Sequence, residues 1–222
     1  MTHVVFVLFP GITQLDMTGP AQFLARLPGA TVSIAAASLD PVATDSGFSL
    51  VANTTFADAP PADILCVPGG HGVADALGDA ETIEFIAAQG ARAKWVTSVC
   101  TGAFLLGRAG LLEGRRATTH WAYAHLLPLV GAIHAPGRVV KDGPTITAGG
   151  VTAGIDFALT LIAREAGEEW ARSIQLALEY DPAPPFDGGT PDRAGAVRTD
   201  RLKAQVYTAA AARMESELRR TQ

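Results

Sequence analysis

The sequence predicts an α/β fold organised on a mainly parallel sheet, and three observations carry that reading. Val4 to Phe9 is a continuous apolar run, as a strand buried on both faces requires, not the alternation of a half-exposed one. A helical pattern and then a second strand, Thr31 to Ala37, follow it, an order that gives a right-handed βαβ unit. In Lys94 to Gly107, a run with Trp95, Val96, Thr97 and Val99 passes directly into the apolar helix start Ala103-Phe104-Leu105-Leu106, with Cys100 on the joint.

Taken in order, Pro10-Gly11 ends the first strand, and the loop through Gly19 delivers Asp16. After Gly19-Pro20, the residues Phe23, Leu24 and Leu27 recur at helical spacing until Pro28-Gly29. Pro41 to Phe56 sets Asp45-Ser46-Gly47 between short β-branched segments, a polar hairpin appended to the main sheet. Beyond Pro60-Pro61, Ala62 to Val67 is the next core strand, and Pro68-Gly69-Gly70-His71-Gly72 turns at its carboxyl end. Glu81 to Gln89 reads as an amphipathic helix, and Lys94 to Val99 as the central strand. Ala117 to His120 precedes a helix from Trp121 to Leu127, stopped by Pro128. Arg138 to Val140 and Thr145 to Thr147 form a hairpin turning at Asp142-Gly143. Thr152 is placed to cap a helix reaching Glu165, with Ile155, Leu159 and Ile162 on one face, and Glu168 to Tyr180 continues as a further helix. A Pro/Gly-rich loop, Pro182 to Pro191, leads to an Ala-rich helix from Arg201 to Arg220.

With 222 residues and no linker to divide them, one domain is the expectation. A 48% apolar content allows a sizeable core without disulfides or metals, and a net charge of −5 argues against a nucleic-acid surface. No run approaches the roughly 20 apolar residues that span a bilayer, and no cationic region precedes the first strand, so neither a membrane segment nor a signal peptide is expected. The expected location is the cytosol, where Cys66 and Cys100 stay reduced.

Cys100 is where chemistry concentrates. Ser98 and Gly102 flank it at two residues on either side, the spacing of a nucleophile elbow with cysteine in place of serine. The following helix turns its N-terminus toward the sulfur, which favours a thiolate. Cys66, inside a strand, reads as core packing. Ligands in open α/β sheets bind beyond the carboxyl ends of the strands, so the loops carrying Asp16, Gly69-Gly70 and Cys100 converge on one pocket. Asp16 is then either a helix cap or a proton donor and acceptor. The Gly69-Gly70 amides are either those of a tight turn or, with the Thr101 amide, donors to developing negative charge. His120 either approaches the site or caps the Trp121 helix. No Gly-Lys-Ser/Thr follows the glycine turn, which excludes a phosphate loop, and the other histidines lack metal-ligand spacing, so no metal is expected.

Five segments together carry a family resemblance: Val5 to Asp16, Val67-Pro68-Gly69-Gly70-His71-Gly72, Ser98 to Leu106, Ala117-Thr118-Thr119-His120-Trp121, and Thr147 to Asp156. From Val4 to about Glu179 the chain resembles the ThiJ/PfpI superfamily, and within it the isonitrile (isocyanide) hydratases, whose pattern has an aspartate in the first loop and a threonine after the cysteine. The resemblance implies a flavodoxin-like three-layer sandwich, a single class I glutamine amidotransferase-like domain with a helical extension from about residue 195, a homodimer, and no cofactor. It implies Cys100 as nucleophile, Asp16 as general acid/base, and Thr101 as a hydrogen-bonding partner, with Gly70 and Thr101 facing the substrate. PfpI-type proteases have histidine directly after the cysteine and ThiJ-type glyoxalases a glutamate in the first loop, so Thr101 and Asp16 point away from both.

The expected chemistry is attack of Cys100 on the terminal isonitrile carbon, protonation by Asp16 to a thioimidate, and hydrolysis to an N-substituted formamide. The same domain also resembles the ligand-sensing half of AraC-type regulators. About forty residues follow Tyr180, too few for a helix-turn-helix domain, which leaves a free-standing ligand or redox sensor with an exposed low-pKa thiol as the alternative.

Overall fold

The computed structural model describes residues 1–220. In chain order the elements are β1 (Thr2–Val7), α1 (Gln14–Leu24), β2 (Ala30–Ala36), β3 (Val42–Ala43), β4 (Ser49–Leu50), β5 (Thr54–Thr55) and β6 (Ile64–Val67). Then come α2 (Val73–Ala76), α3 (Ala80–Gly90), β7 (Trp95–Val99), α4 (Gly102–Arg108), β8 (Arg116–Ala117), a 3₁₀ helix (Trp121–Val130), β9 (Ile133–His134), β10 (Val139–Asp142) and β11 (Thr145–Ala148). The chain finishes with α5 (Ala153–Ala166), α6 (Glu168–Ala177), α7 (Pro191–Ala194), α8 (Ala196–Leu202), a π-helical turn (Lys203–Tyr207) and α9 (Thr208–Arg219).

The main sheet runs β10-β11-β7-β6-β1-β2-β5, parallel at every junction except β10 with β11. The apolar run read from the sequence is its centre, with Val4 to Val7 fully buried. Helices α1, α5 and α6 pack as one layer, while α2, α3, α4, the 3₁₀ helix and α9 pack as the other. Chain direction away from β1 reverses between β2 and β6, so the crevice beyond the carboxyl ends of β1, β6 and β7 is the switch point where an open sheet receives a ligand. Among the described residues no helix is long and apolar enough to cross a membrane.

Four local expectations are corrected. Helix α1 begins at Gln14, ahead of Gly19-Pro20, so Asp16 stands on its first turn rather than in a loop. Pro20 forgoes only the bond its N–H would make to the Asp16 carbonyl, and a side chain at Gly19 would press on Ile155, its Cβ falling 3.3 Å from Cγ1. The segment from 41 to 56 splits into the β3–β4 hairpin and β5, which joins the main sheet parallel to β2. Pro128 does not stop the helix at Trp121; it lies within the 3₁₀ helix, which Gly131 ends in the left-handed conformation (φ 70°). Thr152 precedes α5 as expected but its hydroxyl does not cap it, accepting instead from Arg138 Nη2 at 3.1 Å.

The C-terminal helix differs most. A π-helical turn interrupts it at Lys203–Tyr207, and an inserted residue of this kind rotates everything after it about the helix axis. Tyr207, Ala211, Met214 and Leu218, at helical spacing, then face the core, Met214 and Leu218 being buried.

Candidate active site

Cys100 sits between the end of β7 and the start of α4 with φ 54°, a left-handed conformation that a side chain adopts only when its surroundings enforce it. They do so at both ends. Its N–H donates to the carbonyls of Gly149 (2.8 Å) and Ala148 (3.1 Å), and its carbonyl accepts from the Thr119 hydroxyl (2.7 Å). Gly102 lets α4 start against the end of β6, since a Cβ there would fall 2.2 Å from the Val67 carbonyl oxygen. Both cysteines are free; Cys66 is buried in β6, its sulfur accepting from the Thr97 hydroxyl at 3.2 Å, and burial pushes its thiol up to about 12. That is the core role expected of it.

Behind Cys100 lies Asp16, 1% exposed. Its Oδ2 accepts from the Gly69 N–H at 2.9 Å, while Oδ1 has no hydrogen-bond partner among the described residues. Burial, above all, raises the carboxyl to about 7; the Gly69 bond opposes this, the charge of Asp45 adds to it, and the Cys100 thiol opposes it by donating toward the carboxylate. Cys100 is likewise pushed well above the ordinary thiol range, first by burial and then by the Asp16 charge, against the pull of the Thr101 N–H and hydroxyl. The resting site is therefore a neutral thiol facing a carboxyl that titrates near neutrality. This corrects the expectation of a helix-stabilised thiolate. Helix α4 has seven residues, and its field is too weak to offset desolvation beside a carboxylate.

Thr101 and Gly70 interlock. The Gly70 N–H donates to Thr101 Oγ1 at 3.0 Å, and that hydroxyl approaches the Gly70 carbonyl at 3.3 Å. Since Gly69 donates to Asp16, both glycine amides serve the protein itself, and the donors left beside the sulfur are the N–H and hydroxyl of Thr101. Gly70 and Thr101 both line the cavity beside Cys100, but the Gly70 amide is spent on holding Thr101. Gly69 must be bare, because a Cβ would fall 2.6 Å from the Thr101 amide nitrogen and hydroxyl and 3.0 Å from Asp16 Oδ2. Gly69→Ala is expected to lower unfolding free energy by about 1–3 kcal/mol through overpacking, measured by denaturant titration; a variant as stable as the parent contradicts this packing.

Cys100 lines a cavity of about 210 Å³ with Thr13, Asp45, His71, His120, Tyr123 and Tyr207 among its walls. His120 fulfils both roles left open for it. Its Nδ1 accepts from the Ala122 N–H at 3.3 Å, capping the 3₁₀ helix, and its ring faces the cavity. Burial lowers it to about 4, so it is neutral, with the capping bond placing its proton on Nε2; it cannot serve as the base for Cys100. Asp45, on the β3–β4 hairpin, and the two tyrosines are cavity residues that sequence reasoning missed. For Tyr207 a signal existed in the Tyr207, Ala211, Met214, Leu218 spacing, which marks an inward face. Among the described residues, no group of three or more His, Cys, Asp or Glu side chains is gathered to hold a metal.

The family model described as the DJ-1/PfpI family matches residues 2–164. The chain is 52% identical over 201 residues to the isonitrile hydratase of Pseudomonas putida, covering 90% of this chain and 88% of that protein. A crystal structure of a THiJ/PfpI family protein from Pseudomonas syringae superposes with a TM-score of 0.94 at 41% identity, covering 98% of this chain and 90% of the other. The HTH-type transcriptional regulator GbdR of Pseudomonas aeruginosa is 31% identical over 137 residues, 61% of this chain but 37% of the regulator.

Proposed function

The chain belongs to the DJ-1/PfpI family, and we propose that it is an isocyanide hydratase, converting R–N≡C and water to the N-substituted formamide. The observation that carries this reading is the buried Cys100–Asp16 pair beside a cavity of about 210 Å³ that Cys100 lines, in a chain 52% identical to an isonitrile hydratase. A terminal isonitrile carbon must gain both a nucleophile and a proton, and this pair holds one of each.

The sulfur attacks that carbon as the thiol proton passes to the Asp16 carboxylate. Asp16 then gives the same proton to the carbon, leaving a thioimidate, Cys100 Sγ–CH=N–R. Water adds to the thioimidate carbon, losing a proton to Asp16. Nitrogen gains a proton as water adds; the adduct's hydroxyl then loses one as the carbonyl forms, the C–S bond breaks, sulfur recovers the proton held by Asp16, and the formamide departs. The Thr101 N–H meets the negative charge on sulfur during transfer. A redox sensor needs an exposed, acidic thiol, whereas this one is buried and held neutral, so the arrangement favours paired proton transfer over oxidation.

Incubation with p-nitrophenyl isocyanide tests the reading: formamide is expected to accumulate with turnover, and a protein that leaves the isocyanide unchanged at pH 8 overturns it. The pH dependence follows from the form that starts the reaction, a neutral Cys100 beside an ionised Asp16. With Asp16 near 7, kcat/KM should climb with unit slope below that pH and level off above it, about 30-fold lower at pH 5.5 than on the plateau. A flat profile from pH 5.5 to 8.5 would remove Asp16 as the acceptor.

The rest of the reading is a single domain extended by the C-terminal helices, acting in the cytoplasm as a homodimer on a small molecule, without a cofactor and without nucleic acid. A net charge of −5 supports the last point, and the family resemblance supports the dimer. Light scattering on the purified protein measures its mass directly.

A further inference from the structure

The cavity above Cys100 is walled by aromatic rings that come from two distant parts of the chain. Tyr207 lies 5.1 Å from His120, 5.9 Å from Tyr123 at 80° and 5.3 Å from Trp121 at 76°, ring centre to ring centre. Tyr123 is buried and anchored edge-on against Phe104, whereas Tyr207 ends the π-helical turn that aims it at the site. Neither phenol hydroxyl has a hydrogen-bond partner among the described residues, although both rings line the cavity with Cys100. Both hydroxyls are thus left free for a molecule in the cavity, and π turns recur where function requires a side chain off the regular helical phase.

The proposed reaction also lacks a group. When water adds to the thioimidate, the C=N electron pair moves to nitrogen, which must gain a proton while Asp16 is occupied with the water. Building on the hydratase reading, we propose that Tyr207 is a catalytic residue of the second half-reaction, its hydroxyl hydrogen-bonding the thioimidate nitrogen and donating to it as water adds. The balance closes: addition gives Cys100 Sγ–CH(OH)–NHR with protonated Asp16 and the Tyr207 phenolate. On collapse the hydroxyl proton of the adduct returns to the phenolate and the carbonyl forms. The C–S bond breaks, and sulfur takes the Asp16 proton. Burial holds both phenols above their usual range, so the transfer is concerted with addition and no free phenolate persists.

Tyr207→Phe keeps the ring and deletes the hydroxyl, and it tests the two half-reactions separately. With p-nitrophenyl isocyanide, kcat is expected to fall about 100-fold while the first half-reaction proceeds, so that intact-mass spectrometry finds Cys100 carrying the mass of one isocyanide at steady state. Loss of packing alone would slow adduct formation as well and leave no accumulated adduct. Turnover within twofold of the parent, or slowed turnover with no adduct, overturns the role of Tyr207 while the parent's own turnover preserves the hydratase reading. A parent protein that forms neither adduct nor formamide overturns both.

Discussion

The Cys100→Ala variant is expected to lose isonitrile hydration by at least about 10³-fold in kcat/KM while remaining folded. Stability should change little, by about 1 kcal/mol, because alanine keeps the Cβ and because the backbone bonds that hold φ at 54° run from Gly149, Ala148 and Thr119 to main-chain atoms of residue 100. The strained turn is thus imposed by its neighbours and survives loss of the sulfur. Catalysis does not survive it, since Cys100 is the one thiol among the described residues lining the cavity, the His120 Nδ1 lone pair is engaged in its capping bond, and the tyrosine hydroxyls are held protonated. Formamide release compared between parent and variant, alongside thermal unfolding of each, checks both halves. Residual hydration above a few per cent of the parent rate would mean that Cys100 positions the isocyanide without bonding to it.

How far the site was legible follows from which interactions are local. The Cys100 turn is written in adjacent residues: a β-branched run, small flanking residues and an apolar helix start leave the chain little choice. The parallel sheet is equally plain, because burial on both faces produces the uninterrupted run from Val4 to Phe9. Asp16 was legible as a residue but not as a position. Gly19-Pro20 reads as a helix breaker, and only the packing of α1 on α5 shows that a helix can run through both. The ionisation of the thiol is not legible in the sequence for a similar reason. A helix N-terminus is visible in sequence, but desolvation by surrounding elements and a carboxylate 84 positions away are not, and they dominate. Tyr207 depends on the π turn, on docking of α9 and on the 3₁₀ helix carrying Tyr123, so no local pattern brings it to Cys100.

Asp16→Asn should abolish turnover and make the protein more stable at the same pH, a combination that separates a functional carboxylate from a structural one. On activity, asparagine accepts the Gly69 N–H as well as aspartate does but neither takes nor returns a proton, so kcat/KM is expected to drop by about 10²–10⁴-fold. On stability, the folded carboxyl titrates near 7 against 3.8 for an unperturbed one, so between these values the native state binds the extra proton. Stability from this group is therefore fully present below about 3.8 and is lost as pH rises toward 7. Three units at about 1.4 kcal/mol each bound the loss near 4 kcal/mol at pH 8, and the asparagine variant avoids it. Its melting temperature should exceed the parent's by up to roughly 8–16 °C at pH 8, with the gap closing as pH falls toward 4. Melting curves across that range measure it directly. A variant less stable than the parent at pH 8 would show that Asp16 is a satisfied structural carboxylate, and the proton transfers assigned to it would then have no carrier.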